Sequence, residues 1–241
     1  MGSSMKFLVL QHIYVEHPGE WRDCMRLAGD SWDTVELDNG EAIPPLESYD
    51  ALISMGGPMD VFDKDEHPWL FKEKMIIREA VLNRKMPFLG ICLGHQLLAE
   101  AMDGVVERMA EPEVGLMDVS LTQVGRADPL FDGVTDPITC LQWHGCEIST
   151  LPKSSESLAA SSHCAVQAIR IGQLAYGLQF HVELTADTVT EWSKIPAYRK
   201  SLEQALGIGA LPRLNSAIAA KLPDFNLTAR RIYKNFASLI R

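Results

Sequence analysis

The chain has no uninterrupted apolar stretch near the ~20 residues that a bilayer crossing requires, so no membrane helix is expected. It also lacks an excess of positive charge: 22 Lys and Arg stand against 32 Asp and Glu, a net charge of −10. Duplex nucleic acid is bound chiefly through basic residues on the phosphates, and this balance argues against such a partner. The five cysteines, Cys24, Cys92, Cys140, Cys146 and Cys164, are odd in number and follow no scaffold-like spacing. With no secretion signal, they read as reduced thiols of a cytoplasmic protein, at most one of them chemically special. Internal repeats, low-complexity linkers and a P-loop are all missing. The opening Met1-Gly-Ser-Ser4 lacks the apolar core of a signal peptide and reads as an expression scar before a natural start at Met5.

What is present is ordinary globular material, 46% apolar and 22% charged over 241 residues. That is enough chain for one large domain with an appendage, burying roughly 70–75% of its unfolded surface without disulfides or metals. Short apolar runs at 7–10, 34–37, 51–55 and 88–91 alternate with helical spacing at 21–27, 68–84 and 96–102. This rhythm predicts an α/β fold: an open, mostly parallel sheet with helices on both faces. Strand-like stretches at 117–122, 138–143, 166–171 and 174–181 predict further strands, some antiparallel. From 187 onward the pattern turns helical, and 191–241 is expected to form an extension packed on a domain covering 5–190. Its Arg230, Arg231 and Lys234 read as a solvated face.

Three segments carry chemistry. In Pro87-Phe-Leu-Gly90-Ile-Cys92-Leu93-Gly94-His-Gln96 an apolar strand runs into Gly-x-Cys-x-Gly and a helix starts at once, the pattern of a nucleophile elbow. A sulfur at that apex sits near a helix N-terminus, whose partial positive charge stabilises an anion. In Gln179-Phe-His181-Val-Glu183, residues two apart on a strand share a face, so Glu183 can orient His181 from behind while the other nitrogen faces a thiol. In Ser54-Met-Gly56-Gly57-Pro58, glycines at a strand end free backbone N–H groups, and Gly57 with Leu93 could form an oxyanion hole. Each segment alone also fits a buried thiol, a lone strand-end histidine or an ordinary turn. Together, in this order and each at a strand end, they point to one catalytic constellation.

The combination resembles the class I, triad-type glutamine amidotransferase domains, in particular stand-alone proteins of the GMP synthase-like branch. The resemblance rests on Gly90-Ile-Cys92-Leu-Gly94-His-Gln96, on Gln179-Phe-His181-Val-Glu183, on Gly56-Gly57-Pro58 and on Trp143-His144-Gly145. It implies a flavodoxin-like sheet and a triad of Cys92, His181 and Glu183, with an oxyanion hole at Gly57 and Leu93. It also implies a substrate pocket holding Gly56, Gln96, Trp143, His144, Gly145 and Cys146. No cofactor and no metal are expected, and His144 with Cys146 is rejected as a ligand pair for want of further ligands. The implied reaction is hydrolysis of a γ-glutamyl amide, either glutamine or a conjugate with an amine or peptide. Trp143 would suit an aromatic amine. The alternative is a glutaminase subunit passing ammonia to a synthetase or ligase partner, because no such domain follows the motifs. The chain departs from the family twice: Val182 stands where Pro is usual, and Cys146 where the GMP synthase type commonly has Asp. The second departure removes a carboxylate that could meet a substrate ammonium.

Overall fold

In a computed structural model, described here for residues 4–241, the chain forms a nine-stranded sheet of order β2-β1-β3-β4-β9-β8-β7-β5-β6. Strands β1 (Lys6–Gln11), β2 (Ser31–Glu36), β3 (Ala51–Ser54), β4 (Phe88–Ile91) and β9 (Ala175–Leu178) run parallel. The remaining strands, β5 (Val105–Leu121), β6 (Ile138–Thr150), β7 (Ser155–Ala160) and β8 (Ala168–Ile171), add antiparallel ladders. The tag reading of residues 1–4 falls mostly on residues 1–3, outside those described.

Alternation in β1 shows why the sheet is covered twice. Phe7 and Val9 face a core closed by α1 (Trp21–Ala28) and α7 (Ala210–Ile240), with Met25, Ile232 and Phe236. Leu8 and Leu10 face the opposite core under α2 (Trp69–Arg78) and α3 (Leu93–Ala101), with Leu70, Ile77 and Leu97. An apolar strand buried on both faces is the expected signature of a parallel sheet between helix layers. A third cluster, Trp143, Trp192, Tyr198, Leu214 and Phe225 among others, joins β6 to α5 (Thr188–Trp192), α6 (Pro196–Leu206) and α7. Among the described residues, no helix is long and apolar enough to cross a membrane.

Differences from the sequence expectation have physical causes. Strand β5 begins earlier, and strand β6 ends later, than their alternation indicates. Over 105–108 and 113–119 strand β5 pairs only with β6, while its contact with the main sheet is confined to Ser120 and Leu121. Strand β5 is exposed along much of its length, so its one-sided apolar signal is weak, whereas β6 is mostly buried. Helix α7 runs through Pro223, where the missing N–H would normally end it. Ile218 and Phe225, buried on either side of the proline, hold the helix to the third cluster. Helix α2 widens into a π-turn over Glu79–Asn83 before β4.

Because β1, β3, β4 and β9 are parallel neighbours, their C-terminal ends share one edge. That edge receives His12, Gly56 and Gly57, Cys92, and the Gln179–Glu183 segment. Crevices at such edges are where open α/β sheets bind ligands.

Candidate active site

Cys92 occupies the turn between β4 and α3 with φ 51° and ψ −100°, a left-handed conformation that costs a non-glycine residue on the order of 1–3 kcal/mol. Its amide donates to the Leu178 carbonyl at 2.8 Å, which ties the strained turn to β9. The flanking glycines are dictated by contact. A Cβ on Gly90 would lie 2.4 Å from the Gly94 carbonyl oxygen, and one on Gly94 would lie 2.1 Å from that of Ser54. The turn can close only without those side chains, and it leaves the sulfur at the bottom of a cleft, buried but lining it.

His181 and Glu183 follow β9 on a segment bridged to β6: Leu141 and His181 exchange backbone hydrogen bonds at 3.0 and 2.9 Å. The His181 Nδ1 lies 2.7 Å from Glu183 Oε1. Among the described residues Nε2 has no formed hydrogen bond, and it is turned toward the Cys92 thiol. Burial works to lower the imidazole, but the Glu183 carboxylate behind it and the Cys92 sulfur before it outweigh burial. Together they hold its pKa well above the usual histidine range. Trp192 stands edge-on to the ring at 4.7 Å. Val182 does more than replace a proline: its N–H donates to Glu183 Oε2 at 3.0 Å, a bond that proline could not make.

Two residues with unpartnered backbone N–H groups line the same cleft. Among the described residues, neither the Gly57 nor the Leu93 N–H donates to a protein acceptor, and both residues line the cavity beside Cys92. Leu93 is the first residue of α3, where an N–H has no intrahelical partner. A Cβ on Gly57 would come within 2.6 Å of the Met59 sulfur and 3.0 Å of both His12 and Leu93 side chains. A larger residue would push this turn away from Cys92.

The cavity measures about 190 Å³ and opens on one side. Gln96 lies in its wall, and its amide orientation is fixed. Nε2 donates to the Cys146 carbonyl at 3.2 Å and to Gln179 Oε1 at 3.0 Å, which leaves Oε1 as the acceptor on offer. Gly145 and Cys146 line the wall. Gly56 does not line the cavity but supports the turn behind it. The His144 ring is spent on the protein, with Nδ1 2.8 Å from the Cys146 carbonyl and Nε2 2.8 Å from Glu113. Trp143 Nε1 donates to Ser201 Oγ at 2.7 Å, and its ring packs against Trp192 and Tyr198.

Several polar groups here carry no local sequence signature. Asp60 restores a carboxylate to the wall: Oδ1 accepts from the Cys146 thiol at 3.3 Å, while Arg108 donates to Oδ2 at 2.7 Å. Glu16 is buried close to Gly56 and accepts from the Tyr198 hydroxyl, with burial raising its pKa. Tyr198 and Ser201 of α6 roof the cavity. Nothing local along the chain distinguishes Asp60 or Glu16 from the other acids.

The family described as "Glutamine amidotransferase class-I" matches residues 25–191. A glutamine amidotransferase-like protein of Salmonella typhimurium, YfeJ, is 35% identical over 163 residues, 66% of each chain. A subunit of the glutamine-hydrolysing GMP synthase from Saccharolobus solfataricus is 33% identical over 151 residues, covering 60% of this chain and 76% of that one. Among solved structures, a glutamine amidotransferase of Thermotoga maritima superposes with a TM-score of 0.87 at 28% identity, over 98% of this chain and 99% of the other. With the matched family spanning 25–191 of its 241 residues, the chain belongs to the class I glutamine amidotransferases.

Proposed function

We propose that this chain hydrolyses the side-chain amide of a γ-glutamyl compound through a thioester on Cys92. The observation that carries the reading is a cleft lined by Cys92, Gly57 and Leu93, the last two with unpartnered backbone N–H groups, and behind Cys92 a buried imidazole backed by a carboxylate. The Cys92 thiolate attacks the amide carbon, and the N–H groups of Gly57 and Leu93 take up the charge on its oxygen. The His181 imidazolium gives its proton to the departing nitrogen, the C–N bond breaks, and ammonia or amine leaves. Neutral His181 then takes a proton from water, which attacks the thioester. Glutamate departs, the sulfur returns as thiolate and the imidazolium is restored.

The cavity supports a small substrate. Its 190 Å³ lies below the roughly 300–1,000 Å³ usual for drug-sized ligands, and Trp143 with Ala197, Tyr198 and Ser201 of α6 takes up part of the wall. Gln96 Oε1 and the Asp60 carboxylate give an α-ammonium two acceptors, so the carboxylate missing at residue 146 is supplied from another loop. Glutamine is accordingly the favoured substrate. The relatedness to a GMP synthase component favours a second reading, a subunit whose ammonia is used by a separate synthetase.

Purified protein incubated with glutamine and with γ-glutamyl amides of increasing bulk is expected to release glutamate fastest from glutamine. Asp60→Asn is expected to raise KM about tenfold with kcat little changed, as for a hydrogen bond to a charged group partly screened by solvent. Release from none of the amides, alone or with an added ammonia-using synthetase, would overturn the reading.

A further inference from the structure

Behind the oxyanion turn lies a polar cluster that the proposed reaction does not touch. His12, Ser54 and Glu73 are fully buried, between the ends of β1 and β3 and helix α2. His12 Nε2 lies 2.9 and 3.1 Å from the two Glu73 oxygens, and Ser54 Oγ donates to Glu73 Oε1 at 2.7 Å. The other ring nitrogen, Nδ1, lies 2.8 Å from the Gly56 carbonyl oxygen. The Trp69 indole stacks on the imidazole at 5.4 Å with planes 10° apart, so the ring cannot swing away. Three buried polar side chains in one closed network are costly to keep unless they are fully partnered.

Chemistry fixes the direction of the key hydrogen bond. A carbonyl oxygen only accepts, so Nδ1 carries the proton whether Glu73 or His12 holds the other one. Burial opposes charge on His12, but Glu73 outweighs it and raises the imidazole pKa, which favours the doubly protonated ring. The Gly56 carbonyl and the Gly57 N–H belong to one peptide unit. That unit is trans, so the two groups point in opposite directions. A donor clamped on the carbonyl therefore fixes where the N–H aims. It also draws electron density toward the oxygen and strengthens the N–H as a donor, by about 10–30% on condensed-phase figures for hydrogen-bond cooperativity.

We infer that the Ser54–Glu73–His12 chain is a positioning device for the oxyanion hole, holding and polarising the Gly56–Gly57 peptide from the side away from Cys92. The inference rests on the reading of Gly57 N–H as an oxyanion donor. None of the three side chains touches the substrate. Without the clamp, nothing else in the described residues donates to the Gly56 carbonyl, and this glycine-rich turn is free to rotate the peptide and withdraw the N–H.

The test compares His12→Leu, His12→Asn and Glu73→Gln with the wild-type chain in steady-state glutamine hydrolysis. A parallel assay follows alkylation of Cys92 by iodoacetamide, a displacement at a saturated carbon that develops no oxyanion. Removing one oxyanion donor from a related acyl-transfer site costs about 10²–10³ in kcat. His12→Leu is expected to lose roughly that much, with KM and the alkylation rate within about twofold of wild type. His12→Asn puts an amide N–H near the position of Nδ1 and should recover about tenfold of the loss. Glu73→Gln keeps the scaffold but weakens the clamp, and a loss of about tenfold is expected. It serves as the folded variant should His12→Leu fail to fold. Folded variants with wild-type kcat would overturn the inference, and so would kcat and alkylation falling together, which marks general distortion of the site. In those cases a wild type that still turns over keeps the activity reading intact. A wild type that forms no thioester removes both.

Discussion

Cys92→Ala is expected to lower glutamine hydrolysis by at least about 10⁴-fold, the scale on which nucleophile deletions act in triad hydrolases, while the melting temperature stays within a few degrees. The loss is large because no other group can form the thioester. Cys146 shares the cavity, but burial and the Asp60 carboxylate push its thiol far up, so it remains protonated. Burial likewise raises Cys24 to about 11 and Cys164 to about 12, and it holds Cys140 well above the ordinary thiol range. The fold should tolerate the change. The amide of residue 92 keeps its bond to Leu178, and the positive φ is imposed by the Gly90–Gly94 contact rather than by the side chain. Glutamate release and a thermal melt on the same preparation separate chemistry from folding. Residual turnover within tenfold of wild type would mean that another group attacks the substrate.

Glu183→Gln is expected to cost about 10³–10⁴ in kcat, comparable with carboxylate-to-amide replacement in an analogous triad. Two effects combine. A Gln side chain can turn its amide N–H toward Nδ1 and reverse the tautomer, leaving Nε2–H pointing at the sulfur with no base to receive a proton. The carboxylate is also the chief group opposing burial at His181, so its loss lets the imidazole give up its proton at lower pH. The sign follows. In the wild type the folded imidazole titrates above the unfolded value, so the stabilisation from the pair is fully present below the unfolded pKa and disappears as pH rises through the folded one. In the variant that stabilisation shrinks, and the alkaline limb of kcat/KM, which needs an imidazolium to protonate the leaving nitrogen, moves to lower pH. A pH–rate profile with both limbs unmoved would rule out Glu183 as the partner that tunes His181.

Much of this architecture is written locally. Apolar β1, β3 and β4 announce a parallel sheet because each strand must suit two buried faces, and the Gly90–Cys92–Gly94 spacing announces a turn that only glycines permit. The pair His181 and Glu183 was legible from their i, i+2 spacing, although strand β9 ends at Leu178 and the two meet on the irregular segment that follows it. Asp60, Glu16 and Tyr198 were not legible, since their place beside the cavity depends on how loops and α6 pack, and no spacing along the chain encodes it. His12 and Glu73 lie 61 residues apart and meet only because β1 and α2 enclose the same core. The early start of β5 was hidden for a related reason: its first half is largely exposed and carries little apolar pattern.

The most direct test is to quench the protein with acid during turnover of glutamine and to weigh the intact chain and its peptides by mass spectrometry. The expected result is one added glutamyl group, labile to hydroxylamine, on the peptide containing Cys92 and absent from Cys92→Ala. Turnover with no adduct on that peptide, or with the glutamyl group on another residue, would contradict the mechanism at its first step.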